Sequence, residues 1–287
     1  MGTIVSFHAH PDDESIGTGG TLARASAAGH RVVLVFATRG ELGEPVPGVL
    51  ADGEQLGMRR TAECYRSAEA LGAERVEFLG YTDSGMMGEA TNEPPWCFWQ
   101  ADVDQAAHRL AAILAEEAPD VFTIYDDNGG YGHPDHIQVH RVGKRAAELA
   151  DVAVVVQGTI NRDTIAEAMA RAAEFGIDAG DDSSAGGAGG IDENSAAKIK
   201  ERASAPDFGK PEAELTHRVD VTGQLDAKRN SMLAHGSQIG PDHFMVSMPP
   251  EAFAFAFGTE WFIVDDVPVD PPALFTELFA PKAVTLV

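Results

Sequence analysis

The sequence predicts an α/β fold, a doubly wound and mainly parallel sheet with helices on both faces and a smaller C-terminal subregion. Three observations predict it. Short runs dense in Val, Ile, Leu and Phe alternate with longer amphipathic stretches through the N-terminal half. The runs are almost continuously apolar, as strands covered on both faces must be. The chain is 287 residues long, 44% hydrophobic and 23% charged, enough to bury a large core without disulfide staples.

Strands are expected at 3–8, 31–38, 75–80, 121–125 and 152–157, and helices at 18–28, 55–71, 102–117 and 134–150. Together these make a core over residues 1–157. Residues 158–287 are expected to pack on that core and complete its pocket. This second part opens with a helical stretch at 161–175. The following segment, 178–193, is rich in Gly, Ala, Ser and Asp, carries too little apolar surface to order itself, and reads as a flexible loop. A helix at 224–235 then leads into aromatic runs at 253–257 and 261–264, read as strands or packing segments.

Charge and cysteine usage exclude several function classes. Lys and Arg number 21 against 45 Asp and Glu, a net charge of −24, which argues against a phosphate-backbone or anionic-membrane partner. Cys64 and Cys97 alone make no disulfide framework. Met1 runs almost directly into a strand, leaving no room for a signal peptide, and no apolar run approaches a membrane span. The expectation is a cytoplasmic protein acting on a small molecule, without nucleic acid or membrane insertion, and with self-association left open.

Two His/Asp clusters follow two different strands. The first strand runs into His8-Ala9-His10-Pro11-Asp12-Asp13-Glu14, and the fourth runs through Asp126-Asp127-Asn128-Gly129-Gly130-Tyr131-Gly132 into His133-Pro134-Asp135-His136. In a sheet of order 3-2-1-4-5, strands one and four are neighbours, and the crevice at their carboxyl ends is where ligands bind. The clusters should meet there. His10, Asp13 and His136 then offer two imidazole nitrogens and one carboxylate with a fourth position open, as a catalytic Zn2+ site requires; Fe2+ suits the same donors. Pro11 and Pro134 fix the flanking backbone. Asp12, beside a ligand but pointing elsewhere, is the candidate general base for a water acidified by the metal. His133 can set a protonated imidazole against an oxygen that turns negative in a tetrahedral intermediate, then protonate the leaving amine. Asp135 can hold that imidazole in its charged form.

Each signal also has a plainer explanation. A single His-Pro-Asp-Asp is also a turn with an N-cap aspartate; two such motifs beside a switch point favour a metal. Gly17-Thr18-Gly19-Gly20 departs from GxGxxG, so a dinucleotide is disfavoured. His8 reads as a buried partner behind the ligands and His140, four residues after His136, as packing or support. His235 either approaches the site or merely ends a helix. Glu14 and Glu41 receive no role.

The paired motifs His10-Pro11-Asp12-Asp13 and His133-Pro134-Asp135-His136 resemble the LmbE-like (PIG-L) family of zinc-dependent N-acetylglucosaminyl deacetylases, over about the first half of the chain and again weakly at 234–238. The resemblance implies a Rossmann-like sheet without a dinucleotide, one zinc on His10, Asp13 and His136, a general base at Asp12 and an oxyanion-stabilising imidazole at His133. The stretch 125–132 resembles the actinobacterial mycothiol branch. That likeness implies a Tyr131 that swings over the metal, and Arg60 and Asp83 as substrate-binding residues. Conjugate amidases of that branch resemble one another in a lysine where this chain has Gly17. The expected activity is therefore removal of an N-acetyl group from a glucosamine-containing compound such as N-acetylglucosaminyl-inositol. The alternatives are an amidase acting on mycothiol-type conjugates or another N-acyl amide, and a non-catalytic sugar-binding module.

Overall fold

Strand β1 (Thr3–His8) alternates its side chains between two apolar layers. Ile4 enters one, Val5 and Phe7 the other, so both faces of the sheet are buried. The computed structural model describes residues 1–171, 208–265 and 273–274. After β1 come α1 (Gly19–Ala27), β2 (Arg31–Phe36), α2 (Leu56–Leu71), β3 (Arg75–Phe78), α3 (Val103–Glu117), β4 (Val121–Tyr125), α4 (Pro134–Leu149) and β5 (Val155–Thr159). These five strands pair in parallel in the order β3-β2-β1-β4-β5. Leu110, Leu114, Val139 and Val142 of α3 and α4 cover the face of Val5 and Phe7. Leu22, Cys64 and Leu71 of α1 and α2 cover that of Ile4.

The later segment extends the same sheet. After α5 (Arg162–Ala170) come β6 (His217–Asp220), α6 (Leu225–Ala234), the short turn α7 (Phe244–Ser247), α8 (Pro250–Phe257), β7 (Thr259–Ile263) and β8 (Ala273–Leu274). β7 lies antiparallel between β5 and β6, and β8 is parallel to β6. Glu260 of β7 accepts the Gly20 and Thr21 amides, both at 2.8 Å, and so closes the open N-terminus of α1. The same carboxylate pairs with buried Lys228 of α6 at 2.5 Å, and Lys228 also donates to the Ile16 carbonyl at 2.8 Å. β7 and α6 are thus tied to the segment that follows the first His/Asp motif.

Two expectations change. The run 253–257 is helical: Pro250 sits in the first turn, where its fixed φ suits a helix, and Phe253 and Phe257 pack ring to ring at 4.8 Å, four residues apart on one face. The alternating Phe residues imitate strand period, but helical packing against Met232 and Ile239 prevails. The fifth strand begins three residues later than expected, after a left-handed turn at Asp151 (φ 53°). Of the helix expected at 161–175, Arg162–Ala170 is helical and the remainder extends past the described residues; the loop 178–193 lies wholly outside them. Among the described residues no helix is long and apolar enough to cross a membrane.

Candidate metal and catalytic site

β1 and β4 are neighbours, with Ile4 opposite Val121 and Ser6 opposite Thr123. The winding reverses between them, so the loops beyond both strands open onto one crevice. Past β1 the chain turns sharply at Asp12, whose φ of 109° is one that residues with a side chain rarely adopt and costs about 1–3 kcal/mol. Three contacts hold it. The Asp12 N–H donates to Glu14 Oε2 at 2.9 Å, its carbonyl accepts the Ser15 amide at 3.0 Å, and its carboxylate meets Arg60 Nη2 at 3.1 Å. Past β4, Asp126 Oδ1 accepts the Asn128 and Gly130 amides and folds the Gly-rich loop. Gly129 in that loop has φ 62°, and a Cβ there would lie 2.3 Å from the His136 Cβ, so only glycine fits.

Three imidazoles converge in the crevice. Ring centroids stand 4.7 Å apart for His10 and His133, 5.3 Å for His10 and His136, and 5.2 Å for His133 and His136. Asp13 lies between two of them, one oxygen 3.4 Å from His10 Nδ1 and the other 3.3 Å from His136 Nε2. The Tyr131 hydroxyl is 3.2 Å from His136 Nε2, and the Tyr125 ring stacks on His136 at 4.7 Å. His10 Nε2 faces away from Asp13, toward Asp135 Oδ2 at 3.2 Å and Asp83 Oδ1 at 3.5 Å. Behind this layer His8 bonds Ser6 and the Tyr125 hydroxyl, and His140 bonds the Tyr125 carbonyl.

The partner expected for Asp135 has to be corrected. Its carboxylate bonds the Ser84 hydroxyl and amide and His10, and only its backbone N–H meets His133, donating to Nδ1 at 3.1 Å. Residues two apart at a helix start face different directions, and His133 is the N-cap of α4. The cap bears on the tautomer of His133: with Nδ1 accepting a backbone N–H, a neutral ring carries its proton on Nε2. Arg60 is 4% exposed, and its guanidinium serves Asp12 and the carbonyls of Pro11 and Gly40, which places it behind the candidate base.

Electrostatics separate the two neighbouring aspartates. Burial pushes Asp12 up to about 6, with Arg60 opposing and Asp13 adding to the rise. Burial acts on Asp13 too, but His136 and His10 outweigh it and hold that carboxyl well below the usual range. Burial, with His10 and His136 nearby, pushes His133 down, in keeping with a neutral ring. Burial alone would lower His10, yet Asp83, Asp13 and Asp135 together raise it.

Comparison with known proteins places this arrangement. The PIG-L profile, described as GlcNAc-PI de-N-acetylase, matches residues 5–147, which span both motifs. A 1D-myo-inositol 2-acetamido-2-deoxy-alpha-D-glucopyranoside deacetylase of Salinispora arenicola is 42% identical over 271 residues, covering 91% of this chain and 82% of that one. The chain belongs to the PIG-L family. A relative of the same description from Thermobifida fusca is 44% identical over 255 residues, covering 82% of this chain and 83% of that one. Among solved structures, the conserved protein TT1542 from Thermus thermophilus shares the fold at a TM-score of 0.58 and 22% identity, over 94% of this chain and 97% of that one. The N,N'-diacetylchitobiose deacetylase from Pyrococcus horikoshii shares it at 0.54 and 22%, over 91% and 83%.

As a PIG-L protein the chain is a hydrolase of the deacetylase type, acting on an amide bond. Its donor set fits a metal ion. Burial lowers the pKa of His136 against the opposing pull of Asp13, and in its neutral form an Nε2 lone pair faces the Asp13 oxygen 3.3 Å away. A lone pair facing a carboxylate is an arrangement that a cation between them relieves. The second nitrogen of His10 is anchored by the Asp135 carboxylate, as ligand imidazoles commonly are. His10 with His133 and His136, and His10 with Asp83 and Asp135, each bring three ligand atoms within 4.8 Å of one another.

Several residues around this PIG-L site carry no signal in the sequence. Ser84 fixes Asp135, and Glu41 accepts the Asp83 amide at 3.1 Å. Glu63 accepts the amide and hydroxyl of Ser237, and so pins the segment around His235 against α2. His235 itself reaches Glu14, at 2.6 Å, and not the metal donors. Glu14 directly follows the first motif, and only its complete burial sets it apart from a surface acid.

Proposed function

We propose that the chain removes the N-acetyl group from an N-acetylglucosaminyl-inositol-type substrate, with Zn2+ held by His10, Asp13 and His136. The convergence of these donors with an up-shifted Asp12 on one side and a neutral His133 on the other carries the reading, and relatives 42% and 44% identical with that printed activity support the substrate. The bound ion would supply Lewis acidity, polarising the amide carbonyl and acidifying water. Asp12, buried beside Arg60, takes the proton of the attacking water, and its raised pKa makes it basic enough to do so. His133 Nε2–H and the Tyr131 hydroxyl, kept protonated by burial, donate to the carbonyl oxygen as it becomes negative; as the C–N bond then breaks, the proton taken up by Asp12 passes to the leaving amine, giving acetate and the free amino sugar. Asp83, buried and 3.5 Å from His10, lines the side where the sugar would lie.

The test is primary-amine release from N-acetylglucosaminyl-inositol by purified protein, stripped of metal and then restored with zinc. Metal-dependent release is expected. Release that persists in fully stripped protein, or no release from the metal-loaded protein, would overturn the proposal.

A further inference from the structure

We infer that Glu14, fixed by His235 and Ser67, is the positioning residue that keeps Asp12 in its left-handed backbone conformation. The inference rests on the reading of Asp12 as base given above. Glu14 uses its two oxygens differently. Oε1 takes the His235 ring at 2.6 Å together with the hydroxyls of Ser67 and Ser15, while Oε2 takes the Asp12 N–H at 2.9 Å. The hydroxyls of Ser15, Ser67 and Ser231 lie within hydrogen-bonding distance of one another, and Ser231 can donate to either of the other two. Glu14, Ser15, Ser67, Ser231 and His235 are all fully buried.

A carboxylate is costly to bury, and a core serving stability alone is as well filled by apolar side chains. Here the buried carboxylate bonds the one non-glycine residue of the crevice with a strongly positive φ among the described residues. Two of its holders come from elsewhere in the fold, Ser67 from α2 and His235 from just beyond α6, and Ser231 of α6 stands behind Ser67. α6 and the residue that ends it, outside the 5–147 match, therefore help to set the geometry of the candidate base.

The test uses the full zinc-loaded chain and measures kcat, KM, metal content and thermal melting for Glu14→Leu, Glu14→Gln, His235→Leu and Asp12→Ala. Glu14→Leu should lower kcat about 10²-fold with KM within about threefold and metal content unchanged, the loss expected when a reacting group is misplaced by an ångström. Glu14→Gln keeps an amide oxygen for the Asp12 N–H and should recover most of that loss. Folded, metal-loaded Glu14→Leu with wild-type kcat, or Glu14→Gln no better than Glu14→Leu, would overturn the inference. Should Glu14→Leu not fold, His235→Leu decides: a drop in kcat of about tenfold at constant KM supports it, and an unchanged kcat overturns it. Asp12→Ala separates the two levels. Its turnover should fall about 10²- to 10⁴-fold; if it stays near wild type, the assignment of the base itself has failed.

Discussion

His133 shows how one side chain serves both folding and chemistry. Its Nδ1 caps α4, and that bond leaves Nε2 to face the crevice as a donor. Replacing His133 by Asn keeps a good N-cap acceptor, but its shorter amide no longer places a donor where Nε2 stood. Turnover should fall about 10²- to 10³-fold, the usual cost of a lost oxyanion donor, while the melting temperature barely moves. A large fall in melting temperature would show that the ring's packing matters more than its cap. If Asp12 is the proposed base, it should set the acid side of the pH profile. As a base it must be deprotonated, and burial raises it to about 6, so kcat/KM should fall roughly tenfold per unit as pH drops below that value. A cation held by Asp13 lowers Asp12, so the limb should sit at or below pH 6 with metal bound. An acid limb unchanged in a slow but active Asp12 variant would assign it to another group.

At the scale of elements, the joint between α1, α6 and β7 depends on one buried ion pair. Lys228 and Glu260 are 1% and 3% exposed, and Glu260 also closes the start of α1. Lys228→Met keeps the length of the side chain but strands the carboxylate. The expected cost is about 3–5 kcal/mol in urea unfolding, because one partner of a buried pair is left uncompensated. A loss below about 1 kcal/mol would mean that the two α1 amides alone satisfy Glu260. The five parallel strands and four covering helices were legible because each is a contiguous run with one period. The fifth strand's start and the helix at Pro250–Phe257 were not. Phe253, Phe255 and Phe257 alternate like a strand, and only the packing partners decide which period prevails.

Across the whole molecule, the proposed metal donors lie beyond the ends of β1 and β4, His10 and Asp13 in the turn after β1 and His136 in the first turn of α4, outside cores that are filled independently of them. Chelation should therefore abolish activity while lowering the melting temperature by about 10 °C or less, since each kcal/mol of lost binding shifts a domain of this size by about 2–4 °C. Unfolding on chelation would make the site structural and favour a non-catalytic sugar-binding role. The sequence by itself determined the α/β class, the strand order around β1 and β4, and the meeting of the two His/Asp motifs at one crevice. Hydrophobic period and a paired motif are local properties, and the switch point of a parallel sheet converts them into proximity. Only the tertiary structure decided that Asp135 supports His10, that Arg60 backs Asp12, and that Glu14 and His235 meet across the fold. Those contacts join residues as far as 221 positions apart, and their value lies in burial and direction, which no local pattern encodes.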